Sequence, residues 1–163
     1  MPETKREKLI NASVARMRTI LTTNTYQTAS GETRNFETDL GANVGDWEVN
    51  WQGNELPALS VCDTVADLDF VNGSVDAPSQ KHVLPVLYRI FTKADARAAK
   101  IRKMLGDVVA AIGIDPYWTV EGKKLALFTR ITKAGLIVPA ENFEIAGGAV
   151  EAEIVYLVNS FEF

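Results

Sequence analysis

The run from His82 to Phe91 is apolar on both faces of an extended chain, and few folds can accommodate that. Such a strand is stable only when each face is covered, so it predicts a sheet with packing on both sides of this segment. Pro85 interrupts the run and has no N–H to give to a ladder, which predicts an edge position or a bulge there.

Two stretches with helical spacing supply cover. Thr4 and Glu7 have the Thr-x-x-Glu spacing of a capping box, and Ile10, Val14, Met17 and Leu21 recur on one face, predicting a helix over about residues 5–22. Lys8, Arg16 and Arg18 fall on its wet side. Thr92 and Asp95 repeat the capping pattern ahead of a second helix, with Ala98, Ile101, Leu105, Val108 and Ile112 on one face and Gly113 as the stop. Arg97, Lys100, Arg102 and Lys103 lie mostly off that stripe, on a solvated face.

The remaining pattern is extended. Trp47, Val49 and Trp51 alternate with Glu48 and Asn50, predicting a half-buried strand that pairs with Leu59 to Cys62 across the Gln52-Gly53-Asn54 turn. After Asp115-Pro116 come three extended segments, at about 123–132, 136–146 and 149–159. Gly147-Gly148 reads as a tight hairpin pairing Ile145 with Val150 and Phe143 with Ala152, with Ile154, Tyr156 and Val158 continuing the face toward the helices. Residues 22–46 are polar and glycine-bearing, predicting a long loop without structure of its own that is mobile or serves binding. Asp63 to Lys81, with Asn72-Gly73 and Pro78, reads as a second loop. At 163 residues the chain is close to the length of one domain and shows no internal repeat. The expectation is a single α+β domain over residues 1–163: a mostly antiparallel sheet of about four to six strands with two helices on one face.

Charge and chemistry narrow the function. The formal net charge of −4 is not that of a body built to grip phosphates. Cys62 is the one cysteine, so neither an intrachain disulfide nor a zinc site with two thiolates can form, and a reducing, cytosolic setting fits. Following Leu59 and Val61, Cys62 reads as a small buried hydrophobe. The amphipathic start and the lack of any window of about 18 apolar residues predict a soluble, unprocessed chain that does not enter a membrane. His82 is the sole histidine, and no nucleophile elbow, phosphate-binding glycine loop or His-Glu-x-x-His helix occurs. Asp63, Asp67 and Asp69 lack the glycine and terminal glutamate of a calcium loop and read as solvated carboxylates. No catalytic, cofactor-binding or metal-binding residue stands out, and an enzyme is not expected.

The order of helix, polar loop, Glu55-Leu-Pro-Ala-Leu-Ser-Val61, long strand, capped helix and a strand meander ending Ala-Glu-Ile-Val-Tyr156 resembles the tail terminator, or tail completion, proteins of long-tailed bacteriophages and prophages. The Leu-Pro-Ala-Leu-x-Val strand followed by an Asp, and Gly106-Asp-Val-Val-Ala-Ala-Ile-Gly-Ile-Asp115, carry most of the likeness, which spans about residues 5–22 and 47–159. The 22–46 stretch is longer and more polar than the family's usual connection. The resemblance implies a minor tail protein of the virion, assembled in the host cytoplasm. In that family a hexameric ring docks on the last ring of the tail tube protein, stops polymerisation and offers a surface to the head completion or connector protein. It also implies DNA that only passes through the channel.

On that reading the candidate subunit or tube contacts are Tyr26, Phe36, Trp47, Trp51, Phe161 and Phe163, whose apolarity a monomer does not obviously need. The hairpin register places Glu144 opposite Glu151 and Asn142 opposite Glu153 on the outer face, so Glu144, Glu151 and Glu153 are candidates for lining the channel, or for bridging to a neighbouring subunit's cations. Three other readings stay open: a head-tail stopper of the neck, a small enzyme or ligand-binding protein built around Cys62, His82 and Asp63 to Asp69, and a nucleic-acid binder using the basic side of the second helix.

Overall fold

A computed structural model describes residues 3–48, 50–64, 67–69, 79–93, 98–137 and 145–159. In chain order the elements are α1 (Lys5–Met17), β1 (Thr25–Gln27), β2 (Thr33–Asn35), β3 (Val44–Asp46), β4 (Ala58–Asp63), β5 (Asp67–Asp69), β6 (Ser79–Lys93), α2 (Ala98–Ile114), β7 (Thr119–Val120), β8 (Lys123–Lys124), β9 (Phe128–Ile137) and β10 (Ile145–Asn159). The class is α+β. The main sheet has the order β3-β4-β6-β10-β9, with β5 also on β6, and is antiparallel except where β3 runs parallel to β4.

The apolar run expected to be doubly covered lies within β6, which pairs with β10 over its whole length, from Lys93 opposite Ile145 to Ser79 opposite Asn159. At the usual rise per residue this ribbon is about 50 Å long. One face carries Leu84, Val86, Tyr88 and Ile90 of β6, Val150, Ala152, Ile154 and Tyr156 of β10, and Leu59 and Val61 of β4, all buried. Leu9, Ile10, Val14 and Met17 of α1 and Ile101, Met104, Leu105, Val108 and Ile112 of α2 belong to the same core. Both helices therefore pack on that face, as the spacing predicts.

Pro85 sits in a central strand. Its carbonyl accepts from the Thr64 N–H (2.9 Å) just past the end of β4, and β5 resumes the pairing on that side only at Val83. The N and O of one strand residue face the same neighbour, so the missing N–H falls in the break between β4 and β5 and not in the β10 ladder.

The α1 cap forms as predicted: the Glu7 N–H donates to Thr4 Oγ1 (3.1 Å). The helix ends at Met17, however, and Ile20 is buried in the turns beyond it. Thr92 is no cap; it is a buried residue of β6, and α2 starts at Ala98 and continues through Gly113 to Ile114. Asp95 lies outside the described residues. Lys100, Arg102 and Lys103 are exposed, as expected.

Residues 22–46 are not structureless. Tyr26 opposes Arg34 in the β1–β2 hairpin, Phe36 and Leu40 are buried in the core, and β3 closes the edge of the sheet. Asp107 of α2, itself buried, accepts from the Glu37 N–H (3.0 Å) and from Thr38 Oγ1 (2.6 Å), pinning the stretch to the helix. Its polar character hides anchors spaced too far apart for a periodic pattern. The strand expected over Trp47 to Trp51 is also corrected: β3 precedes it, Trp47 has φ 56°, and Val49 lies outside the described residues.

Gly147-Gly148 makes no turn. Both glycines are inside β10, opposite Phe91 and Ile90 on one side and Ile137 and Leu136 on the other. A Cβ on Gly147 would collide with the Ile90 carbonyl, and one on Gly148 would lie 3.1 Å from Leu105 Cδ2, so these glycines let two strands and α2 approach closely. The expected pair Ile145 with Val150 does not form, since Val150 faces Tyr88 and Ala134; Phe143 lies outside the described residues, and Ala152 faces Val86 and Ile131.

Candidate subunit interface on the open sheet edge

Asp115, directly after α2, accepts from the Tyr117 and Thr119 N–H groups (3.0 and 2.6 Å) and turns the chain back. Burial works to raise its pKa, but these hydrogen bonds outweigh it and hold the carboxyl below its ordinary value. Trp118, wholly buried, donates its indole N–H to Thr129 Oγ1 (2.8 Å) and lies under the Arg16 guanidinium (5.3 Å from the ring centre), fastening this region to α1. β7 and β8 form a small hairpin whose two turn residues, Glu121 and Gly122, both have positive φ, as a type I′ turn requires. The Leu127 N–H then reaches the Val155 carbonyl (2.7 Å), and the chain enters β9.

β9 ends the sheet on this side, with no strand beyond it among the described residues. Arg130 to Ile137 are all exposed. The face that β9 shares with the core carries Ile131 and Leu136, and the opposite face carries Phe128 and Ile137; these four are 38 to 46% exposed. Helix α2 packs along both β10 and β9, yet Ile131 and Leu136 on its side of the sheet, like Phe128 and Ile137 on the other, remain exposed to water. The ladder shifts register between Glu151 and Ala152, where Thr132 is the extra residue and its hydroxyl donates to the Glu151 carbonyl (3.2 Å). Lys133 and Arg130 point along the back of the sheet to Glu151 (3.3 Å) and Glu153 (2.5 Å). The bulge and the two cations interrupt the row of free backbone groups, a common guard against indiscriminate strand pairing.

The opposite edge differs. β3 spans only three residues, and Arg18 donates to the Val44 carbonyl (3.4 Å). The chain then wraps behind β4: Trp51 Nε1 donates to Ser60 Oγ (3.1 Å), the Ser60 hydroxyl bonds the Glu48 carbonyl, and Ala58, Ser60 and Cys62 are buried beneath. Trp47 donates its indole N–H to Asp63 (2.8 Å), yet the residue stays 56% exposed. Arg6 of α1 also bonds Asp63 (2.6 Å). Burial works to raise the Asp63 pKa, and the Trp47 and Arg6 donors override it and keep the carboxyl low.

Among the contact candidates from sequence, then, Trp47 is exposed, Trp51 is half-buried as a cover for β4, and Tyr26 and Phe36 stack on each other (4.8 Å) as part of the monomer's own packing. Phe161, Phe163 and Glu144 lie outside the described residues. The like-charge pairing that made Glu151 and Glu153 conspicuous is absent: Glu151 opposes Leu87 and Lys133, Glu153 opposes Pro85 and Arg130, and each carboxylate has its cation within the chain. Sequence reasoning divided this stretch into two extended segments, at about 123–132 and 136–146, where the structure has one strand through the gap between them, and it did not single out Phe128, Ile131, Leu136 and Ile137. The usable signal was a strand apolar on both faces that also holds Arg130 and Lys133, the composition of an edge and not of a centre.

Cys62 and His82 do not meet. Cys62 opposes Leu87 on the back of the sheet, whereas His82 opposes Tyr156 on the helix face and packs edge-on against its ring (5.4 Å). Burial pushes the Cys62 thiol up, away from thiolate reactivity, and burial followed by the Arg6 charge lowers the His82 pKa. Among the described residues no group of three or more His, Cys, Asp or Glu is placed to hold a metal ion, and no helix is long and apolar enough to cross a membrane. No protein-family model matches the chain, and no curated protein matches it significantly.

Proposed function

We propose that this chain is a structural assembly protein, a tail terminator that forms a ring on the end of a phage tail tube, stops its growth and presents the head-joining surface. The observation that carries the assembly part is β9: an edge strand with large apolar side chains exposed on both faces, beside central strands whose helix-side face is buried. Exposed apolar surface of this kind marks a contact with another protein. The element order that carries the resemblance supplies the place of that contact, at the tube end, and implies six copies in the ring. The tube protein and the head completion or connector protein are its partners on this reading, the virion tail is its final location, and no catalysis is involved.

The test is genetic and visual. Particles assembled without the protein are expected to contain tubes of uncontrolled length that fail to join heads. Tubes of normal length beside filled heads that leak DNA would overturn the terminator reading in favour of a neck stopper.

A further inference from the structure

The two ends of the sheet carry opposite charge. Residues 44–55, at the β3 end, hold Asp46, Glu48 and Glu55 and no Lys or Arg, and Arg18 at the end of α1 brings one cation to this edge, where it donates to the Val44 carbonyl. At the β9 end, residues 119–137 hold Lys123, Lys124, Arg130 and Lys133 against Glu121 alone. Arg130 and Lys133 reach back over the sheet to Glu153 and Glu151 of β10, but the cations are the more exposed member of each pair, 64% against 26% and 76% against 44%, so their charge stays accessible beside the edge. Each end also shows apolar surface: Leu136 and Ile137 on β9, Trp47 beside β3.

We infer that the occupant of the β9 edge is the acidic, Trp47-bearing edge of a second copy of this chain. Two β9 edges facing each other would set cations against cations, and two acidic edges would set carboxylates against carboxylates. Pairing unlike ends relieves both and brings apolar side chains together from each partner. Such a contact is heterologous, so repeating it gives a ring when the rotation closes and a filament when it does not. The bulge in β9 and the Arg18 cover over β3 make it a contact of side chains more than of a continuous ladder. Closure into a ring at the tube rests on the proposed function; the contact itself rests on the two edges.

Charge reversal with mixing tests it. Lys124→Glu with Lys133→Glu makes both edges acidic, and Asp46→Lys with Glu48→Lys makes both basic. In sedimentation velocity, each variant alone is expected to self-associate roughly a hundredfold more weakly than the native chain, because like-charge contacts cost several kcal/mol. An equimolar mixture is expected to recover association, since each chain then meets an edge of opposite sign. Association of the Asp46→Lys/Glu48→Lys protein at native strength would overturn the contact in favour of a β9-to-β9 dimer. A native chain that stays monomeric at every concentration at which it dissolves, or a mixture that fails to recover, would overturn it outright. Should a reversal unfold the chain, Lys124→Gln/Lys133→Gln and Asp46→Asn/Glu48→Gln carry the same comparison with smaller shifts. Tail length is measured separately: normal tails without the protein, together with recovery on mixing, would retain the contact and discard the terminator reading.

Discussion

On the β4 flank of the sheet, Leu59 and Val61 are buried on the helix face while Ala58, Ser60 and Cys62 are buried on the back, where Trp51 bonds Ser60, so both faces of the strand are dry. On the β9 flank, Arg130 to Ile137 are exposed throughout, although Ile131, Leu136 and Ile137 are as apolar as anything in β4. The two strands belong to one sheet and differ in what the chain places over them. Apolar content therefore identifies surface that needs a cover, and only the surrounding chain decides whether the monomer or a neighbour supplies it.

The largest expected effect tests how the bare flank is held. Trp118 is buried, bonded to Thr129 on β9 and packed beneath Arg16 of α1, so it bridges the open edge to the covered side. Trp118→Ala is expected to cost about 3–5 kcal/mol in chemical denaturation. A cost below about 1 kcal/mol would show that the β9 flank is not anchored through this residue. Next in size is the bond between α1 and the sheet, Ser13 Oγ to Tyr88 OH (2.8 Å), where both residues are fully buried. Tyr88→Phe leaves the Ser13 hydroxyl without that partner in a dry site, at an expected cost of about 1–3 kcal/mol. The double variant with Ser13→Ala is expected to recover part of the loss, and absence of any recovery would count against the bond.

Much of the covered flank was legible in the sequence, because periodic burial leaves a periodic trace. Ile10, Val14 and Met17, and likewise Leu84, Val86 and Tyr88, repeat at the spacing of their element, and Thr4 announces its cap. The errors fall where position depends on partners far along the chain. Gly147-Gly148 has the composition of a turn, but its conformation follows from the close approach of Ile90 and Leu105, which no local pattern encodes. Phe36 and Leu40 are isolated apolar residues in a polar stretch, anchored by Asp107 some 70 positions later. The site was the least legible part: β9 reads as an ordinary strand until its place at the edge and the exposure of both its faces are known.

The two flanks share the sign of their acid response. Asp63, beside β3, has a folded pKa below its ordinary value, so its bonds to Arg6 and Trp47 contribute stability that is complete above the unfolded carboxylate pKa and lost as pH falls through the folded one. Asp115, at the base of the β9 flank, has the same sign. Asp63→Asn is expected to lower the melting temperature at pH 7 and to leave it nearly unchanged near pH 2, flattening the acid limb; equal losses at both pH values would show that Asp63 acts through packing and not through charge. Asp115→Asn offers the matched measurement on the other side.

The smallest expected effect on stability is also the sharpest test of the comparison. Leu84 and Leu136 are the same residue type in the same sheet and on the same face, one completely buried and the other 40% exposed. Leu84→Ala removes packed methyl groups and leaves a cavity, at an expected cost of about 2–5 kcal/mol. Leu136→Ala removes side-chain surface that already meets water on one side and leaves no enclosed void, so the monomer is expected to lose no more than about 1 kcal/mol. Association should respond in the opposite order, because Leu136 sits where a second copy is expected and Leu84 does not. Measured below the concentration of self-association, a Leu136→Ala loss as large as that of Leu84→Ala would mean that β9 is covered within the monomer, and the contrast between the flanks would fall with it. A small loss joined to weaker association would identify Leu136 as a core residue of the assembly and not of the chain.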